Sequence, residues 1–337
     1  RVPGVTVADV EHALYDAGSV IKHLGMRRTM FVVPTDLLPV MQAACTDAIV
    51  SRLRKRIVTD VERAGIATDG AKWLKGAERE TLAALADGDA TGAQLSRRLP
   101  VLQAKIVIGA GTKWGGAIGV AGRVYGVLAA EGRIRRGRPS GSWTSSQHRW
   151  TLAPEHRAVP PPADVARTDL VRRWLAAFGP ATLADLTWWT GLAIGVVREA
   201  LAGLDVIEVD VEDESEAGIV LADDVAPEQP VAPWVALLPS LDSTTMGWKR
   251  RGWYLGEHSA ALFDTNGNAG PTVWADGRIV GGWSQRPSGE VVVGLLEDVG
   301  EDVGAAISRE AAALQEWLTG TVVTARFPTP TDRRLRT

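Results

Sequence analysis

Apolar positions along this chain change spacing several times, and each change marks an element. From the opener Pro34-Thr35-Asp36 to Val58 they recur at helical intervals, whereas residues 20–24, 29–33 and 206–211 are short runs of strand type. Capping chemistry sharpens the boundaries. Thr6, followed by Asp9, reads as the cap of a helix over 6–14, and Gly18 as its stop. A helix over 78–86 precedes Thr91, which caps a short helix that Pro100 ends. A helix over 118–130 closes at Gly132, and strands at 133–143 and 148–152 follow it as a hairpin. The order then repeats. A helix over 165–178 stops at Gly179-Pro180, Thr182 caps a helix over 183–190, and Gly191 precedes a helix over 194–201. A hairpin of 206–211 with 219–221 completes that stretch. Four β-type runs come next, at 235–238, 272–274, 278–283 and 291–296. A helix over 303–318, Gly320, a last strand over 322–327 and a basic tail end the chain.

Helices followed by a two-stranded hairpin form the order of a winged helix. The pattern therefore predicts an α+β fold of tandem winged-helix repeats followed by a β-rich C-terminal domain. The repeat is one of pattern rather than of identity. The expected domains are a first winged helix with its long helix over 1–75, a second over 77–159, a third over 163–226 and the β-rich domain over 231–330. Pro160-Pro161-Pro162 is a stiff linker, and 227–233 is a second Pro-rich one. The chain begins at Arg1 inside a Val-Pro-Gly segment, so the first winged helix is expected to be incomplete, with residues upstream.

Composition narrows the class. A length of 337 residues with 45% hydrophobic and 23% charged residues is that of a globular protein with several cores. Cys45 is the only cysteine, which excludes an internal disulfide and points to the cytoplasm. No apolar run approaches the roughly 20 residues needed to cross a bilayer. The net charge of −3 does not mark a nucleic-acid binder, so local clustering of basic residues decides. Thirteen Trp against three Tyr are mostly expected as core anchors, with base stacking as the other use of an indole.

The basic residues do cluster. Arg133, Arg135, Arg136, Arg138 and Arg149 fall in one hairpin, with Gly137 and Gly141 at its tip. Neighbours on a strand face opposite sides, so these arginines cannot all enter a core. Phosphate contact or a solvated loop are the two readings. Arg27 and Arg28 sit at the turn of the first hairpin, where they can touch phosphate or cap a helix C-terminus. Trp248-Lys249-Arg250-Arg251, with Trp253, interleaves charge and aromatic surface and reads as a nucleic-acid contact or as a hairpin with its tryptophans inward. The turn of the third hairpin is acidic, with Glu212, Asp213, Glu214 and Glu216, and is expected to face away from phosphate.

Catalytic signatures are missing. There is no Cys-x-x-Cys, no His-Glu-x-x-His and no phosphate loop with lysine. Gly109-Ala110-Gly111 with Gly115-Gly116 reads as a loop, and the five histidines are too scattered for a metal site.

Several motifs nevertheless occur together in order. They are Met26-Arg27-Arg28-Thr29-Met30-Phe31-Val32-Val33-Pro34 and Asp185-Leu186-Thr187-Trp188-Trp189-Thr190-Gly191-Leu192. Leu237-Leu238-Pro239-Ser240-Leu241-Asp242 and Gly247-Trp248-Lys249-Arg250-Arg251 follow. The series ends with Asn266-Gly267, Pro271-Thr272-Val273, Asp276-Gly277-Arg278-Ile279-Val280-Gly281-Gly282-Trp283 and Arg326-Phe327-Pro328-Thr329-Pro330. Across nearly the whole chain this resembles the bacterial winged-helix family typified by alkylpurine and crosslink-unhooking DNA glycosylases. The resemblance implies a C-shaped array of winged helices with a β-barrel-like tail. It also implies a Gln-x-Gln or Gln-x-Asp pair that positions water and stabilises the charge developing on the sugar. That pair is expected upstream of Val5. Gln103, Gln147 and Gln285 lack its spacing and context. Two departures concern the tail: Ser243 follows Asp242 where relatives often carry Asp-Glu, and Ala269-Gly270 precedes Pro271 where they are often aromatic and basic.

The expectation is a cytoplasmic, nucleoid-associated DNA-repair protein. It would bind double-stranded DNA as a monomer, act on alkylated or crosslinked purines, require no cofactor or metal, and not bind membranes. The alternatives are a non-catalytic winged-helix DNA binder, architectural or regulatory, and a protein-interaction module.

Overall fold

The computed structural model describes all residues except 1–3, 110, 112–114, 155–158, 212–215 and 227–228. Ala110, Glu212, Asp213 and Glu214, singled out from the sequence, therefore lie outside the described residues. The chain divides into two compact units, Arg1–Arg173 with Thr190–Leu204, and Trp174–Trp189 with Asp205–Thr337.

The first unit opens with α1 (Val7–Glu11), which continues as a π-type turn, His12–Asp16. Thr6 and Asp9 form the expected capping box. Strands β1 (Val20–Leu24) and β2 (Met30–Pro34) pair antiparallel across a 3-10 turn, Met26–Arg28. The long helix is continuous but composite: a 3-10 turn, α2 (Leu38–Met41), a π-type turn Gln42–Thr46, and α3 (Asp47–Arg63). Helix α4 (Gly70–Ala86) starts earlier than the 78–86 expected, because the Asp69 carboxylate caps the Lys72 amide at 2.8 Å. Next come β3 (Ala90–Thr91) and α5 (Gly92–Arg98), with Thr91 and Gln94 in a second capping box.

The glycine-rich stretch is not a simple loop. Strands β4 (Lys105–Ile108) and β5 (Gly116–Gly119) form a hairpin there, and α6 (Ala121–Ala130) therefore starts later than 118. Strands β6 (Ile134–Pro139) and β7 (His148–Leu152) then join β3 in a three-stranded sheet of order β3-β7-β6. One core holds these pieces together. Ile57 and Val61 of α3, Leu74 and Ala77 of α4, Val124 and Leu128 of α6, Ile134 and Trp150 all lie in it.

Helix α7 (Ala163–Phe178) leads to α8 (Leu183–Thr190) and α9 (Ile194–Ala202). Strands β8 (Val206–Val209) and β9 (Gly218–Leu221) form a hairpin in the second unit. That unit is dominated by β10 (Val235–Leu238), β11 (Thr272–Ala275), β12 (Arg278–Gln285) and β13 (Val291–Leu295). They form an antiparallel meander of order β10-β11-β12-β13. Between β10 and β11 lie α10 (Gly252–Leu255) and α11 (Ser259–Leu262). The sheet is followed by α12 (Gly300–Leu318) and α13 (Pro330–Arg336).

The barrel-like tail that the resemblance implied is corrected here: this sheet stays open. Helix α12 packs on both outer strands, β10 and β13, and covers the face that closure would enclose. Alternation sorts the side chains. Val273 and Val280 meet Ile307 of α12, whereas Trp274 and Ile279 meet Tyr254, Leu255 and Leu262 on the other face. At Gly282 a side chain would lie 2.9 Å from Leu262 and 3.0 Å from Thr331, so glycine lets α11 and α13 close on the sheet. The last strand expected at 322–327 is also corrected. That segment has no ladder partner, and the basic tail beyond it is α13, capped by Thr329.

Among the described tryptophans, Trp73, Trp248 and Trp283 pack on cores while partly exposed. Trp150, Trp174 and Trp274 are buried, but Trp143, Trp234, Trp253 and Trp317 are exposed. Cys45 lies buried in the π-type turn, its thiol donating to the Met41 carbonyl at 3.2 Å. Burial pushes this thiol up to about 11. At pH 8 it therefore remains protonated, and iodoacetamide is expected to leave it unmodified in the native protein but to label it fully in denaturant. Mass spectrometry reads the difference; rapid native labelling would show that the turn opens readily.

Candidate nucleic-acid interface

The β6–β7 hairpin carries the densest run of arginines, and the first unit supplies carboxylates for several of them. Arg138 donates to Asp16 at 2.7 Å and to Glu11 at 3.1 Å, and lies over the Tyr15 ring. The Asp16 bond raises the affinity of that guanidinium for its proton and holds the carboxyl of Asp16 below its usual value. Arg149 donates to the carboxylate and carbonyl of Asp89 at 2.8 and 2.7 Å. Arg133 lies 3.5 Å from Glu78 and 3.7 Å from Glu131. Arg136 sits over Trp150 at 5.9 Å, and Arg135 reaches toward Gly18. A guanidinium already facing a carboxylate offers less net charge to phosphate. Arg135 has no carboxylate at ion-pair distance among the described residues.

Arg27 and Arg28 occupy the β1–β2 turn at φ 52° and 62°. Consecutive left-handed residues of this size store strain, and such strain concentrates at functional turns. Arg28 lines a cleft of about 360 Å³ with Arg56 of α3 and Arg123 of α6. Asp60 bonds Arg123 and lies 3.8 Å from Arg56, so one carboxylate faces two of the three guanidinium groups. Gly191 packs on this turn: a side chain there would meet Arg27 at 3.0 Å. Gly191 and the Met-Arg turn, apart in the sequence, thus meet within the first unit.

In the second unit the Trp248–Arg251 segment is held by Asp185, a residue whose sequence context gave it no such role. Asp185 is 3% exposed. One carboxylate oxygen accepts from the Thr182 amide and hydroxyl at 3.0 and 2.6 Å. The other accepts from the Lys249 and Arg250 amides at 2.8 and 3.0 Å. The signals in the sequence are its spacing from Thr182 and its place at the head of the Asp185–Leu192 motif. Trp248 donates its indole N–H to the Phe178 carbonyl and contacts Phe178, Trp253 and Tyr254 edge-on or tilted. This is neither a hairpin nor an exposed stacking platform. Trp253, 57% exposed, is the ring the segment presents. Lys249 is exposed, and Arg250 lies 3.5 Å from Glu216 of the acidic turn.

Arg251 is placed between two rings, 4.9 Å from Trp188 and 4.7 Å from Phe263, with its Nε donating to the Trp248 carbonyl. Burial lowers its pKa, but an arginine so shifted stays charged at neutral pH. It lines a cleft of about 690 Å³ together with Phe263, Asp264, Arg326, Phe327 and Arg333.

Family comparison adds its part to this geometry. The description "DNA glycosylase AlkZ-like" matches residues 1–317. The chain belongs to the AlkZ-like DNA glycosylase family. Membership makes it a DNA-repair protein of the glycosylase type, one that binds DNA. Its fold matches Streptomyces sahachiroi DNA glycosylase AlkZ with a TM-score of 0.61 and 21% identity, over 91% of this chain and 81% of that one. Curated protein sequences show no match. Among the described residues of this AlkZ-like protein, no helix is long and apolar enough to cross a membrane, and no cluster of His, Cys, Asp or Glu is placed to hold a metal.

Proposed function

We propose that this protein grips double-stranded DNA as a monomer and hydrolyses the N-glycosidic bond of alkylated or crosslinked purines, in the cytoplasm at the nucleoid. Water adds to the sugar C1′ as the base leaves, and polar groups that orient the water and face the positive sugar lower the barrier. We assign that step to no residue of this chain. The observation that carries the reading is the family match across residues 1–317. The arrangement we favour is three winged helices, over 1–75, 77–159 and 163–226, followed by the β-rich domain over 231–330. The helix–strand–helix elements around the β3-β7-β6 sheet support it. Arg27, Arg28, Arg135, Arg136 and Lys249 are the cations we place on the DNA backbone. Arg133, Arg138, Arg149, Arg250, Arg251 and Trp248 are the further contacts we place there, with carboxylates near the first four.

The test is base excision. Duplex DNA carrying one N7-methylguanine is incubated with the complete gene product and treated with alkali, which cleaves the strand at an abasic site. Strand cleavage above the protein-free control is the expected result. Salt-sensitive duplex binding without cleavage would instead make this a non-catalytic binder. Neither binding nor cleavage would leave a protein-interaction module.

A further inference from the structure

We propose that the cleft beside Arg251 is a separate binding site for a segment of single DNA strand. The phosphodiester would face Arg251, Arg326 and Arg333, and an unstacked base would lie on Phe327. The inference extends the DNA-repair reading to a second site, and rests on it only for the choice of DNA as the phosphate source.

Charge balance comes first. The hairpin arginines Arg133, Arg138 and Arg149 face carboxylates, whereas the three guanidinium groups of this cleft have none at ion-pair distance among the described residues. The single carboxylate in the lining, Asp264, is already committed. It accepts from the Asn266 and Asn268 amides and the Asn268 side chain, each at 2.8 Å, and the Asn268 bonds hold it below its usual pKa. It braces the loop; Asp185 offsets part of the Arg251 charge, and Arg326 and Arg333 keep theirs for a ligand. Unbalanced cations in one concave site concentrate an anion there.

The aromatic groups give the second argument. One face of Phe263 is covered by Arg251, which fixes that guanidinium without a carboxylate. Phe327 is 38% exposed, with Arg326 beside it at 6.0 Å. An exposed ring next to cations suits a strand whose bases are free to stack, since a paired base presents no open face. A volume of about 690 Å³ leaves room for a nucleotide.

The test is fluorescence anisotropy of a labelled eight-nucleotide thymidine oligomer over a salt series. Arg326 and Arg333 are exposed, so the double variant Arg326→Ala/Arg333→Ala keeps the fold, which the melting temperature checks. It is expected to bind about tenfold more weakly, and its log–log salt slope to fall by about 0.7 for each phosphate no longer neutralised. Phe327→Ala is expected to weaken binding at least about fivefold with the slope retained. Unchanged affinity and slope in both would overturn the site. So would displacement of nothing but millimolar inorganic phosphate from the cleft, with no oligomer bound. Excision by the unaltered protein on the methylated duplex reports separately on the glycosylase reading. Oligomer binding lost in these variants alongside failed excision would sink that reading and keep this site.

Discussion

Asp185→Ala is expected to lower the stability of the second unit by about 3–5 kcal/mol, since several covered donors lose one charged acceptor together. The side chain is almost wholly covered and accepts four hydrogen bonds from Thr182, Lys249 and Arg250. Bonds to a charged acceptor contribute roughly 1.5–3 kcal/mol each, and donors left buried and unmet cost about as much. The Lys249 and Arg250 amides are the sensitive pair, because both converge on one carboxylate oxygen. Their release frees the segment that carries Trp248 and Arg251. Urea unfolding followed by tryptophan emission measures the loss, and the emission should shift red as Trp248 leaves Phe178. Asp185→Asn retains one acceptor toward the two amides and should recover roughly half of the loss. A change below about 1 kcal/mol in the alanine variant would mean that the aromatic cluster alone holds the segment.

This carboxylate also shows what could and could not be read from the chain. Its pairing with Thr182 is local, and so are the boxes at Thr6 and Thr91; all three lie within one helical turn, where spacing is informative. Its bonds to Lys249 and Arg250 span more than sixty positions, and no periodicity reports such a contact. The same holds for Arg138 with Glu11 and Asp16. The hairpin sequence shows the arginine but not its carboxylates, because Glu11 and Asp16 lie more than a hundred positions earlier in the chain. Local errors have local causes. Strand β5, Gly116-Ala117-Ile118-Gly119, has one β-branched residue and resembles a loop. The start of α4 carries Gly70 behind its cap, which weakens the helical signal. Val322-Val323-Thr324 has strand composition but no neighbouring strand to bond. Asp276 and Gly277, between β11 and β12, both take positive φ, as a tight hairpin requires, and Asp-Gly is a pair that a sequence shows directly.

Glu78→Ala is the corresponding experiment in the first unit, with an expected loss of about 3–5 kcal/mol. Glu78, 4% exposed, binds Arg54 through both oxygens at 2.7 and 3.3 Å, and Arg133 lies 3.5 Å away. Glu131 shares Arg54 and Arg133, so the network joins α3, α4 and the α6–β6 turn over the main core. Glu78 raises the Arg54 pKa through its hydrogen bond, opposing the burial that would lower it. Without Glu78, Arg54 keeps only Glu131, and a cavity opens beneath it. Glu78 is buried while Arg54 is partly exposed, so salt should weaken the loss less than it weakens that of a fully exposed bridge. The double variant Arg54→Met/Glu78→Leu supplies the control, since replacing both partners by apolar groups avoids a stranded charge and should return much of the stability. Denaturant unfolding at two salt concentrations decides it. A single variant as stable as the native protein at low salt would show that packing of Ile57, Leu74 and Leu128 holds these helices without the ion network.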